Sequence, residues 1–171
     1  SEPELALASI DRFMKLHPAH PNLDYMYYLK GLVYYNDDNT LLAKWGGQDM
    51  SERDPKASRE AFQAFREVVA RYPNSQYAPD ATQKMQELIL ALGGHQMHVA
   101  RYYMKRGAYL AAANRAQSVV TEYNNTPYPE EALALMVVAY ERLGEKQLSE
   151  DTQRVLAMNY PNSAYLKKPW K

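Results

Sequence analysis

A turn that recurs four times governs how this chain can fold. Tyr72-Pro73-Asn74-Ser75-Gln76-Tyr77 returns almost verbatim as Tyr160-Pro161-Asn162-Ser163-Ala164-Tyr165. A degraded copy stands at Tyr123-Asn124-Asn125-Thr126-Pro127-Tyr128, and a more distant one at His17-Pro18-Ala19-His20. Each copy closes an apolar-periodic stretch and precedes another. Proline after the closing residue lacks an N–H and disfavours the helical region just before it. Asn or Ser shortly afterwards can bond the local backbone and cap the next helix. The pattern predicts an array of helices punctuated by one kind of turn.

Spacing makes the array specific. The copies start at His17, Tyr72, Tyr123 and Tyr160, in steps of 55, 51 and 37 residues. Gly107 precedes Asn124 by 17 residues, and Gly144 precedes Pro161 by 17. That is the interval between the inter-helix glycine and the closing proline of a tetratricopeptide repeat, a helix pair of about 34 residues. Tyr103, Gly107, Tyr109, Ala112 and Ala116 mark one unit, and Tyr140, Gly144, Leu148 and Pro161 mark the next, more weakly. The first full unit shows Gly31, Tyr34, Ala61, Phe65 and Pro73. The expected fold is therefore an all-α, right-handed tetratricopeptide solenoid, a single domain over 1–171. It has an orphan helix at about 4–16 and repeats at about 22–72, 78–123 and 129–160. Phe65 and Ala112 are expected to be buried where paired helices approach closely.

Composition removes other classes. The 20 basic and 20 acidic side chains give a formal net charge of zero, without the basic excess of a nucleic-acid binder. Absence of cysteine excludes disulfides, thiolate nucleophiles and Cys-based zinc sites. No apolar run reaches the ~18 residues that a spanning helix needs.

In chain order, Ala6, Ile10 and Phe13 form one stripe of the orphan helix, which resembles the second half of a repeat. The chain is thus expected to begin mid-array, truncated at its N-terminus, with an apolar N-terminal edge. A helix over 22–36 carries Tyr25, Tyr28, Leu29 and Leu32. An acidic insertion from Asn36 to Asp54 follows, with Trp45 beside Gly46-Gly47. Long loops within compact repeats commonly carry function. Here Trp45 is expected to pack on the concave face, as a plug or as a docking tip, with Asp37, Asp38 and Asp49 solvated. Calcium-loop spacing is absent. Residues 55–72 give the cleanest amphipathic helix, with Ala61, Phe62, Phe65, Val68, Val69 and Tyr72 inward, Pro55 at its first position and Asp54 as cap. From Pro79 a helical pattern runs to Arg106, broken only by Gly93-Gly94; one helix kinked there is favoured over two. Ala112, Ala116, Val119, Val120 and Tyr123 line the next helix. Ala132, Leu135, Met136, Ala139 and Leu143 follow, then Leu148, Thr152, Val155, Leu156 and Tyr160. The tail from Lys167 to Lys171 caps the array or hangs free.

Candidate chemistry is sparse. His95 and His98 stand three apart, but a zincin helix needs two His four apart with Glu beside the first, where Gln96 stands. No glycine-flanked serine and no phosphate-cradling glycine loop occur. The pairs Tyr27-Tyr28, Tyr34-Tyr35 and Tyr102-Tyr103 fit a core at helical spacing better than base stacking. Neither catalysis nor a metal or cofactor is expected, and a solenoid without chemistry binds other proteins.

A longer combination is more specific. IDRF (Ile10–Phe13), HPNLDYMYYLKGL (His20–Leu32), an acidic stretch ending ERDP, AFQAFREVVARYPNSQYAPDA and HVARYYMKRGAYLAAANRA (His98–Ala116) occur in that order. Together they resemble the BamD family, tetratricopeptide lipoproteins of the outer-membrane β-barrel assembly (Bam) complex of Gram-negative bacteria, over essentially the whole chain. Gly93-Gly94 departs from the family, in which more helix-favouring residues are usual. The resemblance implies a periplasmic scaffold at the outer membrane, held by an N-terminal lipid that lies outside this sequence. It implies partners in the membrane-proximal POTRA domain of the barrel-inserting, BamA-like subunit, in other Bam lipoproteins and in unfolded outer-membrane protein precursors. The POTRA-facing residues would be Arg106, Tyr109, Asn114 and Arg115, with Arg115 at the border of the buried stripe as anchor. An intrachain salt bridge from Arg115 to Glu122 or Glu141 is the structural alternative. The insertion residues Trp45, Asp37, Asp38 and Asp49 would contribute recognition. Another periplasmic tetratricopeptide scaffold, of the cell-division coordinator type, shares similar turns.

Overall fold

The computed structural model describes residues 2–44 and 55–171, with the backbone alone over 37–44. Among these residues seven α-helices follow one another: α1 Glu2–Leu16, α2 Leu23–Lys44, α3 Lys56–Arg71, α4 Ala78–Lys105, α5 Tyr109–Glu122, α6 Pro129–Leu143 and α7 Lys146–Asn159. A 3-10 turn, Ala164–Leu166, comes last, and no strand occurs among the described residues. The fold is all-α and tetratricopeptide-like, as the turns predict. The described residues group into two compact units, 2–44 with 55–89 and then 90–171. The boundary falls inside α4.

The four recurring sequences fold into one turn. In each, the fourth residue's N–H donates to the first residue's carbonyl: Ser75 to Tyr72 at 2.9 Å, Thr126 to Tyr123 at 3.2 Å, Ser163 to Tyr160 at 2.9 Å and His20 to His17 at 3.1 Å. The side chain of that fourth residue then accepts from the N–H two residues on. Ser75 Oγ accepts from Tyr77 at 3.2 Å, Ser163 Oγ from Tyr165 at 3.2 Å and Thr126 Oγ1 from Tyr128 at 3.5 Å. In the most distant copy His20 Nδ1 takes the hydroxyl's place, accepting from Asn22 at 3.1 Å. The local acceptor is what the repeats share. Gly107 and Gly144 close helices in the left-handed region, at φ of 72° and 79°. There Ala108 N–H reaches Tyr103 O and Glu145 N–H reaches Tyr140 O, satisfying carbonyls that the helix ends would leave open.

In the first unit, Ala61, Phe65 and Val68 of α3 are fully buried with Ala81 and Leu88 of α4. Tyr27, Tyr28, Leu32, Tyr34 and Tyr35 of α2 pack against them. Close approach depends on Gly31, because a Cβ there would lie 2.5 Å from the Phe65 ring. Tyr28 stacks on Tyr77 with centroids 4.8 Å apart and donates to Asp80 Oδ2 at 2.6 Å. Burial, reinforced by Asp80, pushes its phenol up to about 12.

The end of α2 and the start of α3 differ from expectation. The helix expected to end at 36 continues to Lys44, because Leu41, Leu42 and Ala43 favour helix and no Gly or Pro intervenes before Gly46. Asp37 and Asp38 therefore sit on helical backbone rather than in a loop; their side chains, Trp45 and Asp49 lie outside the described residues, as does Asp54. At α3, Pro55 occupies the N-cap itself and Lys56 begins the helix.

In the second unit Met97 and Ala100 of α4 pack with Ala112, Ala116 and Val119 of α5 and Ala132, Leu135 and Met136 of α6. Ala112 is fully buried, and its small neighbours let the helices approach closely. α4 runs through Gly93-Gly94 as a single helix. The glycines make room for rings: a Cβ at 93 would lie 3.2 Å from Tyr128, and one at 94 would lie 3.0 Å from its hydroxyl. Leu143, Leu148 and Val155, expected inside, are exposed. α7 turns Ser149, Thr152 and Leu156 inward instead, and Leu148 and Val155 each stand one residue off that stripe.

Candidate functional site

A run of cations lies between residues 101 and 115, from the C-terminal half of α4 to the middle of α5, and the fold gives each a different setting. Arg115 is exposed at the edge of the buried Ala112, Ala116 and Val119 stripe. Its Nη1 donates to Oε1 of buried Gln96 at 3.3 Å. No ion pair to Glu122 or Glu141 forms among the described residues. Arg106 is exposed too, with its Cζ 5.4 Å from the Tyr102 ring centroid. Asn114 is exposed beside Arg115, whereas Tyr109 is half-buried at the start of α5. Five residues make about 1.4 helical turns, so Tyr109 stands on another face from Asn114. Arg115 and Asn114 share one surface; Tyr109 belongs to a second feature.

That feature is a cleft of about 430 Å³ within the second unit, to which α4 and the start of α5 contribute Arg101, Lys105 and Tyr109. α6 contributes Glu131 and Arg142, and the tail contributes Trp170. Arg101 grips Glu131 in a fork, Nε to Oε1 at 2.8 Å and Nη2 to Oε2 at 2.6 Å. Trp170 Nε1 adds a hydrogen bond to Oε1 at 3.1 Å. The Arg101 bond, with help from Trp170, holds the Glu131 carboxyl below the usual carboxylate range against its own burial. Trp170 also packs on both apolar clusters of this unit, so the tail caps. Sequence reasoning missed Arg101, Lys105, Gln96, Glu131, Arg142 and Trp170. The available signal was Arg101 and Lys105 four apart on one helical face; nothing local pointed to Glu131.

Among the described residues no three His, Cys, Asp or Glu side chains stand together as metal ligands. No described helix is long and apolar enough to cross a membrane. His95 and His98 are half-buried on α4.

Comparison with known proteins adds the family. The family model described as YfiO, outer membrane lipoprotein, matches residues 1–156. The outer membrane protein assembly factor BamD of Neisseria meningitidis serogroup B is 58% identical over 170 residues, which is 99% of this chain and 64% of that protein. Its Xylella fastidiosa counterpart (strain Temecula1) is 42% identical over 96% of this chain and 57% of its own length. The Vibrio cholerae one is 34% identical over 91% and 64%. The chain thus spans about three-fifths of the length of these relatives. With a matched model over most of its length and relatives alike from end to end of it, the chain belongs to the YfiO outer membrane lipoprotein family, the family of the assembly factor BamD.

Proposed function

We propose that this chain is a non-catalytic scaffold for outer-membrane β-barrel assembly, working at the periplasmic face of the outer membrane. The observation that carries the reading is the likeness of nearly the whole chain to proteins named outer membrane protein assembly factor. In this reading a lipid anchors the full-length protein, and other Bam lipoproteins share the scaffold. Precursor segments meet its N-terminal repeats, where Asp37, Asp38, Trp45 and Asp49 contribute recognition. The membrane-proximal POTRA domain of the barrel-inserting subunit docks on the second unit, with Arg115 as its anchor. Three features support that anchor: Arg115 is exposed, it lacks a carboxylate partner among the described residues, and it borders a buried stripe. A planar guanidinium engages a partner carboxylate through paired donors, and exclusion of water at the interface strengthens the pair. Arg106 and Asn114 extend the surface, and Tyr109 contributes from its flank. Binding of the purified POTRA domain should weaken by about 2–5 kcal/mol in Arg115→Glu, with unchanged circular dichroism and melting. Normal binding by the variant, or its unfolding, would show that Arg115 is no interface residue.

A further inference from the structure

We propose that the cleft between α4, α5 and α6 in the second unit binds an extended peptide segment that carries acidic and apolar side chains close together. The first argument is charge. Arg101, Lys105, Arg142 and Lys171 line the cleft, against Glu131 as its one acidic side chain. Glu131 is engaged by Arg101 and Trp170, while Lys105 and Arg142 have no carboxylate partner among the described residues. In a chain of zero formal net charge this excess is local.

The second argument is the apolar wall that accompanies those charges. Met104, Val138 and Trp170 supply apolar lining. An inorganic anion gains nothing from such a wall, whereas a peptide can set an apolar side chain against it and a carboxylate on Lys105 or Arg142. Tyr109 adds a phenol to the lining. About 430 Å³ lies within the range of clefts that take a ligand. The third argument is preorganisation. The Arg101 fork and the indole hydrogen bond fix Glu131 and Trp170 before anything arrives, so little order is lost on binding. A recess of this kind suits a chain threading through it, while a lipid surface needs cations on a flat or convex face. The inference does not rest on POTRA docking, since neither Arg115 nor Arg106 lines the cleft.

Fluorescence anisotropy with a labelled alternating Leu-Glu decapeptide tests it, beside the Leu-Gln and Leu-Lys versions and vesicles of phosphatidylglycerol. The 171-residue chain should bind the Leu-Glu peptide and neither peptide control, more tightly at an ionic strength of about 0.05 M than at 0.15 M. Lys105→Glu with Arg142→Glu should weaken binding roughly tenfold. The milder pair Lys105→Gln with Arg142→Gln should weaken it by a smaller factor and guards against a folding defect. Lys146→Glu, exposed at the start of α7, should leave binding unchanged. Equal binding of the Leu-Gln peptide, undiminished binding by both double variants, or binding confined to vesicles would each overturn the proposal.

Discussion

Replacing Glu131 by Gln isolates one charge in the clasp that holds the tail to the second unit. The amide keeps the shape and one carbonyl acceptor, so the Trp170 hydrogen bond can survive. The Arg101 fork, with its 2.6 and 2.8 Å arms, loses its charge and one of its two acceptors. A hydrogen bond to a charged group contributes about 1.5–3 kcal/mol net. The two side chains keep 39% and 22% of their exposure, so solvent screening reduces that figure. We expect a loss of about 1–2 kcal/mol for Glu131→Gln, and about 1 kcal/mol of coupling with Arg101→Ala in a double-mutant cycle. The sign with pH follows from the depressed Glu131 carboxyl. Its folded pKa lies below the unfolded one, so the pair's stabilisation is fully present above the ordinary carboxylate range. It is lost as pH falls through that range to the folded value, and the wild-type advantage over the Glu131→Gln variant should shrink on acidification. The chain has two tryptophans, so a Trp45→Phe background leaves Trp170 as the sole indole reporter. Urea unfolding would then be followed by Trp170 fluorescence beside far-ultraviolet circular dichroism. Equal stability at neutral pH, or a difference that grows in acid, would refute this account of the clasp.

Phe65→Ala should cost about 3–5 kcal/mol in denaturant unfolding, because the ring is fully buried and fills the space over Gly31; a loss under about 1 kcal/mol would mean that the α2–α3 packing is misread. Gly144→Ala should cost about 1 kcal/mol despite open space around a Cβ, since the strain is in the backbone at φ 79°. A thermal melt unchanged by that substitution would remove the left-handed turn from the account.

What the sequence reveals and what it hides follow from the range of the interactions. The turns were legible because their chemistry lies within six residues: a carbonyl, an N–H and a hydroxyl acceptor that recur together. Gly107 and Gly144 were legible for the same reason, and Phe65 because α3 is sharply two-faced. The end of α2 was misjudged because Asn36, Asp37, Asp38 and Asn39 read as a loop, although the residues after them favour helix. Gly93-Gly94 looked like a weakness in α4, and only the rings of Tyr123 and Tyr128 explain it. Periodicity placed Arg115 at a border but could not pair it with Gln96. It was blind to the clasp, whose partners stand 30 and 39 residues apart. Between residues 101 and 115 the sequence offers similar cations, and tertiary structure makes them unlike. Arg101 is locked on Glu131, Arg106 lies over Tyr102, Arg115 bonds an amide rather than a carboxylate, and Lys105 faces the cleft. A charge locked inside the chain offers an approaching carboxylate little, so the cations left without one are where acidic partners should dock.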